Sequence, residues 1–220
     1  MHLDDSAVLA QVVPEQIMEQ LAQHRPVFHS EADFQHAFAW ELHRAIPELE
    51  VRLEVPFRSS AGNIHLDLLA RSASVQIAIE LKYKTRALKA ALKGEDFLLL
   101  NQAAQDIGRY DFFKDLSRLE AFVSGSPQRI GYALFLTNDS AYWKAPAALT
   151  HGYAAFAMNE GREVSASLAW GDSASAGTRR GRENNISIVG SYGLQWKQYS
   201  SLDVRSYGRI RYVCVHVRAA

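Results

Sequence analysis

With 220 residues, 48% of them hydrophobic and 22% charged, the chain can bury one sizeable core but not two comfortable ones, so one domain with appendages is expected. Its 24 basic and 24 acidic side chains cancel, so overall charge neither supports nor vetoes a nucleic-acid partner and only local charge matters. Cys214 is the sole cysteine, which excludes an intrachain disulfide and a multi-cysteine zinc site. Together with acids where a signal peptide carries lysine or arginine, and no apolar run near the ~20 residues of a membrane span, it predicts a soluble cytoplasmic protein with no membrane partner.

Residues 5–24 read as one or two short helices broken at Pro14, with Ile17 and Leu21 in a modest apolar stripe, a packing appendage. Ser30 then caps a helix in which Phe34, Phe38, Leu42 and Ala45 follow at helical spacing, and Pro47 ends it. Glu31 and Glu41 both fall within the apolar arc and Trp40 outside it. Each acid also has an ordinary explanation of equal weight: the helix dipole for Glu31, an ion pair with Arg44 or Arg52 for Glu41.

Residues 51–57 form a strand with Val51, Leu53 and Val55 on one face and Arg52 and Glu54 on the other. Residues 63–82, NIHLDLLARSASVQIAIELK, read as two further strands joined by a turn. In the first, Asp67 shares a face with His65 and Leu69, opposite Ile64, Leu66 and Leu68. In the second, Glu80 and Lys82 share a face with Gln76 and Ala78, opposite Val75, Ile77, Ile79 and Leu81. If the strands pair, two carboxylates and an ammonium converge. A Glu and a Lys two apart on a strand are usually a solvated edge pair contributing about 0–1 kcal/mol. Here they interrupt an apolar run, and charges on a strand covered on both faces are costly unless paired or holding a metal. Two oxygen donors of this kind suit a hard cation such as Mg²⁺.

Lys82, Lys84, Arg86, Lys89 and Lys93 then follow with no acid among them, either a solvated helix face or a place for a phosphate backbone. Residues 95–122 read as a long helix, kinked near Gly108, with Leu99, Ala103, Ile107, Leu116 and Leu119 toward the core and a polar stripe of Gln102, Asp106 and Tyr110. Residues 130–137 are a buried strand. The last third is β-rich, with strands over 153–158, 164–170, 186–196 and 210–217. Between them the Gly-, Ser- and Arg-rich segment 171–185, carrying Arg179, Arg180 and Arg182, has the composition of a mobile loop. No GxSxG, GxxxxGK, GxGxxG or HExxH occurs, so serine hydrolases, nucleoside triphosphatases, dinucleotide enzymes and zincins lack local support. His43, His65 and His151 are isolated; each fits a structural histidine better than a ligand, His65 least so because it shares the face of Asp67.

Asp67, followed after a gap of 12 residues by Glu80-Leu81-Lys82, resembles the D-xₙ-E-x-K signature of the PD-(D/E)XK nuclease superfamily, although the proline that names the motif is absent before Asp67. The order helix, three strands, helix, strand agrees with the αβββαβ core of that restriction-endonuclease-like fold. Ser30-Glu31 with Gln35 resembles its S-E-x-x-x-Q helix start. The Gln102, Asp106 and Tyr110 stripe loosely resembles the glutamine–tyrosine helix of the RecB-like branch, with different spacing.

The resemblance implies an α/β (α+β) domain with a mixed central sheet: residues 1–29 a helical appendage, 30–140 the nuclease-like core and 141–220 a β-rich extension. It implies a metal-dependent nuclease, with DNA as the expected nucleic acid. Mg²⁺, or Mn²⁺ in its place, would be held by Asp67, Glu80 and the carbonyl of Leu81. Lys82 would position the attacking water or stabilise the developing charge, and Glu31 is preferred to Glu41 as the helix acid. Lys84, Arg86, Lys89, Lys93, Arg179, Arg180 and Arg182 would hold the nucleic acid; a homodimer is left open. The alternative is a nuclease-fold binding or interaction module without catalysis, against which the retention of Asp67, Glu80 and Lys82 argues.

Overall fold

The computed structural model describes residues 13–59, 62–145 and 152–219. Its first helix, α1 (Pro14–His24), begins at Pro14 instead of breaking there, because a missing N–H costs nothing in the first turn. The part of the appendage before residue 13, and His151, lie outside the described residues. Helix α2 (Glu31–Ala45) starts where expected: the Ser30 hydroxyl accepts the Asp33 N–H at 3.1 Å.

There follow β1 (Glu50–Ser59), β2 (Gly62–Arg71), β3 (Gln76–Lys84), a hairpin of β4 (Leu88–Leu92) and β5 (Glu95–Leu99), α3 (Gln105–Val123) and β6 (Arg129–Thr137). Then come a 3₁₀ turn (Ala154–Phe156), β7 (Glu163–Leu168), a short helix α4 (Ala176–Arg179), β8 (Ile186–Gly193), β9 (Trp196–Ser201) and β10 (Arg209–Arg218). The fold is mixed α/β. Its main sheet has six strands in the order β1-β2-β3-β6-β10-β9. All neighbours are antiparallel except β3 and β6, which are parallel and joined by the crossover through α3. One face carries α1 and α2 over Leu68, Ile77, Ile79, Leu81, Leu134 and Tyr212. The other carries α3 and the β7–β8 pair over Leu69, Ala78, Ala133, Phe135 and Val213. β3 and β6 are therefore covered on both sides, as their apolar sequences require. Among the described residues no helix is long and apolar enough to cross a membrane.

Several expected elements differ. The helix over 95–122 is β5 followed by α3. Phe97 and Leu99 are buried and alternate with exposed Asp96 and Leu98, a period of two that the consecutive leucines 98–100 conceal. The basic segment 84–93 is likewise strand and turn, not helix: Lys93 (φ 53°) and Gly94 (φ 82°) close a two-residue hairpin whose backbone matches strand twist. Consequently Ala103 is exposed rather than core. Residues 153–158 contain the 3₁₀ turn instead of a strand, and 186–196 divides into β8 and the start of β9. Segment 171–185 is anchored rather than free: Thr178 donates to Asp106 at 2.8 Å, Trp170 Nε1 to the Arg182 carbonyl at 2.8 Å and Tyr110 to the Asn184 carbonyl at 3.1 Å.

The β1–β2 ribbon departs from simple alternation at one place, which bears on the site. Val51 and Leu53 pack on the α2 side, but Val55 and Phe57 pack on the α3 side. On β2, Leu68 faces α2 whereas Leu66 faces α3. Both strands change face where the register passes from Leu53↔Leu68 to Val55↔Leu66, omitting Glu54 and Asp67. Glu54 stands at φ 51°, the left-handed region that a non-glycine residue enters at a cost.

Candidate active site

Alternation from Leu69 places Asp67 on the α3 side of the sheet, where alternation along β3 also sends Glu80 and Lys82. Asp67 Oδ2 accepts the Leu81 N–H at 2.7 Å and lies 3.8 Å from Lys82 Nζ. From above, α3 contributes Asp115, whose Oδ2 is 2.9 Å from Lys82 Nζ and whose Oδ1 accepts from Arg118 at 2.9 Å. Asp115 was not singled out from sequence. It lies among Phe112, Leu116 and Leu119, a buried acid in an apolar arc, which is the criterion that picked out Glu31 and Glu41.

Three carboxylates thus crowd one lysine. Glu80 is 2% exposed. Burial, reinforced by the negative charges of Asp115 and Asp67, pushes its carboxyl well above the ordinary glutamate range. Burial alone would lower Lys82, but Asp115 and Asp67 outweigh it and hold the ammonium above the usual lysine value. Burial also pushes Asp115 up, against the pull of Lys82 and Arg118. Asp115 has two cations at 2.9 Å to oppose the effect of burial, whereas Glu80 has only the pull of Lys82.

Two buried carboxylate oxygens of the site make no hydrogen bond among the described residues: Asp115 Oδ2, which has Lys82 Nζ at 2.9 Å as its ion-pair partner, and Glu80 Oε1. A buried carboxylate oxygen left open, beside a second carboxylate, is a fitting donor set for a hard divalent cation. The fit extends to two protein carboxylates; among the described residues no three His, Cys, Asp or Glu side chains form a ready metal group.

At the N-terminus of α2, Glu31 Oε2 accepts the Tyr83 N–H at 2.8 Å and lies 3.7 Å from Lys84 Nζ, which places it at the same end of β3 as Lys82. Gln35, one turn on, donates to the Asp67 carbonyl at 2.8 Å and to Glu54 Oε1 at 3.3 Å, bracing both residues of the kink. Glu41 is elsewhere: 2% exposed, it takes Arg44 at 2.5 Å and has His24 at 3.8 Å. Arg52 pairs with Glu50 instead.

The basic residues divide. Lys84 meets Glu31, and Arg86 packs on Tyr207, while Lys89 and Lys93 are exposed on the hairpin. Arg179 donates to the Gly171 carbonyl at 2.6 Å, Arg182 pairs with Asp111 at 3.3 Å, and Arg180 is exposed. Because Asp111 and Asp115 are one helical turn apart, the loop rests on the face of α3 that overlooks the site. The Gln102, Asp106 and Tyr110 stripe does not assemble there: Gln102 binds the Thr85 backbone, Asp106 binds Thr178, and Tyr110 stacks on Trp170 at 5.4 Å. His43 and His65 are exposed. Compared with known proteins, the chain gives no match: no family model, no curated protein and no solved structure.

Proposed function

We propose that the protein is a metal-dependent nuclease of the PD-(D/E)XK type, its restriction-endonuclease-like core running from α2 to β6. The observation that carries this is the meeting of Asp67, Glu80 and Lys82 in one largely buried site with Glu80 Oε1 unpartnered. Asp67, Glu80 and the Leu81 carbonyl would hold Mg²⁺ or Mn²⁺. The ion supplies Lewis-acid activation of the phosphodiester and of the attacking water.

This chain's own residues supply the rest. Lys82 presents a fixed ammonium that orients the nucleophile and stabilises charge developing on the phosphorus-bound oxygens. Asp115, anchored by Arg118, keeps that ammonium charged and aimed. Glu31 and Gln35 fix the backbone at Tyr83 and Asp67, so that the two carboxylates keep their separation when substrate binds. The rival, a binding module without catalysis, draws on the same chain of ion pairs, since Lys82, Asp115 and Arg118 satisfy one another without substrate.

Incubation of purified protein with labelled DNA and RNA in Mg²⁺ or Mn²⁺ decides between them. Cleavage is expected that stops in chelator and falls about 10²–10³-fold in Lys82→Ala, with melting temperature retained. Binding of nucleic acid with no cleavage in either metal would favour the module. Cleavage undiminished by Lys82→Ala would remove the mechanism.

A further inference from the structure

At the carboxyl end of β3, beyond Lys82, lies a surface that the proposed chemistry does not use. Leu98 and Leu100 are 65% and 79% exposed, on the hairpin face opposite the one that buries Phe97 and Leu99. Lys89 stands directly across from Leu98. At the base of the hairpin, Thr85 donates to the Leu100 carbonyl at 2.7 Å. The next residue, Arg86, lays its guanidinium 5.1 Å from the centre of the Tyr207 ring and 3.2 Å from its hydroxyl. Asn138, just past β6, ties these parts together: it accepts the Arg86 N–H at 2.7 Å and donates to the carbonyls of Arg86 and Tyr207 at 3.2 and 3.1 Å. Tyr207 is 42% exposed and held at φ 60°, a region that a bulky residue enters only under constraint.

We infer that this surface holds an unpaired stretch of nucleic acid leading into the site. Its bases lie on Tyr207, Leu98 and Leu100, and its phosphates meet Arg86 and Lys89. The inference rests on the nuclease proposal for its continuity with Lys82. Duplex DNA hides its base faces in the stack and offers a protein mainly phosphate, to which two leucines contribute nothing. An unpaired strand exposes those faces, and aromatic platforms flanked by cations are how such strands are held without regard to sequence. The acids Glu95 and Asp96 sit at the far end of β5, so the strand crosses the base of the hairpin rather than its tip.

The test is fluorescence anisotropy with the full chain in chelator, using a labelled single-stranded oligonucleotide and the same sequence as blunt duplex. Single strand should bind more tightly than duplex. Tyr207→Asn, which keeps a residue tolerant of the left-handed backbone, and a Leu98→Ser/Leu100→Ser pair should each weaken single-strand binding about tenfold while leaving duplex binding unchanged. All three positions are exposed, so equal melting temperatures check the fold. No preference for single strand in the wild type, or equal losses on both probes, overturns the inference. So does a wild-type dimer that the leucine pair converts to monomer with single-strand affinity intact, since that face would then belong to a second copy. Cleavage is scored separately in Mg²⁺. Selective loss of single-strand binding without any cleavage sinks the nuclease proposal and supports this surface, whereas cleavage and binding indifferent to these variants do the reverse.

Discussion

Glu80 is the residue whose environment is hardest to explain without a ligand. Its raised pKa has a consequence for stability with a definite sign. A carboxyl held protonated in the fold binds a proton that the unfolded chain releases above the usual glutamate range, so its stabilising contribution is complete at low pH and is lost as pH rises. Glu80→Gln removes that loss. Without metal at neutral pH the variant should melt higher than the wild type, by about 2–4 °C for each kcal/mol gained in a chain of this size. The gain should vanish as pH falls below the ordinary carboxylate range. Adding Mg²⁺ should reverse the order, because only the wild type then binds the ion. Thermal melts across pH with and without Mg²⁺ check all three. A variant that never exceeds the wild type would show that Glu80 is satisfied by another route.

The two acids of α2 separate in the same manner. Glu31→Gln should lower cleavage at least about tenfold with little change in melting temperature, since Glu31 is part-exposed and holds a backbone N–H beside Lys82. Glu41→Gln should leave cleavage intact and cost about 1–3 kcal/mol, because Glu41 is buried and takes its bonds from Arg44. Rates and melts on both variants decide; the opposite pattern would make Glu41 the functional acid.

At the scale of elements, the kink in the β1–β2 ribbon lies at Asp67 itself and turns Leu66 to the face that Asp67 and Leu69 already share. A regular ribbon would place Leu66 and Leu68 on one face, and the change of face between them coincides with left-handed Glu54 and with Gln35 bracing it. The strain is local and measurable. Glu54→Gly should be neutral or slightly stabilising because glycine adopts this φ freely. Glu54→Val, a branched residue in the left-handed region, should cost about 1–2 kcal/mol and should lower cleavage beyond what the lost stability explains. Denaturant melts with rates measured well below the transition check both. Equal stability of the Gly and Val variants would show that the backbone relaxes and that the kink is not imposed at Glu54.

For the whole molecule, zero net charge means that any affinity for nucleic acid comes from where cations are gathered. Of the loop arginines, Arg182 is engaged with Asp111 and Arg179 with a carbonyl, while Arg180 is exposed. Arg180→Ala should therefore reduce the slope of log affinity against log salt by about 0.9 on duplex DNA. Arg182→Ala should chiefly loosen the loop and lower the melting temperature. Titrations at several salt concentrations distinguish them, and an unchanged slope in Arg180→Ala would free the loop of any phosphate contact.

What the sequence determined by itself is what short-range periodicity and local chemistry can encode. The capped helix after Ser30, the strands around Asp67, Glu80 and Lys82, and the buried strand over 130–137 are set by side chains within a few residues of one another. The placing of Glu80 and Lys82 on one face of a covered strand follows from alternation alone. Tertiary structure decided the rest. Three consecutive leucines fit either period, so only tertiary packing, with His29 stacked on Phe97 at 4.4 Å, made residues 95–99 a strand, and only the closing of α3 over β3 brought Asp115 onto Lys82. The kink at Glu54 requires a partner strand to be kinked against and Gln35 to brace it. The crowding of Asp67, Glu80 and Asp115 around one ammonium joins residues from two strands and a helix, and burial, which raises the Glu80 pKa and leaves its oxygen unpartnered, exists only once those elements close over it.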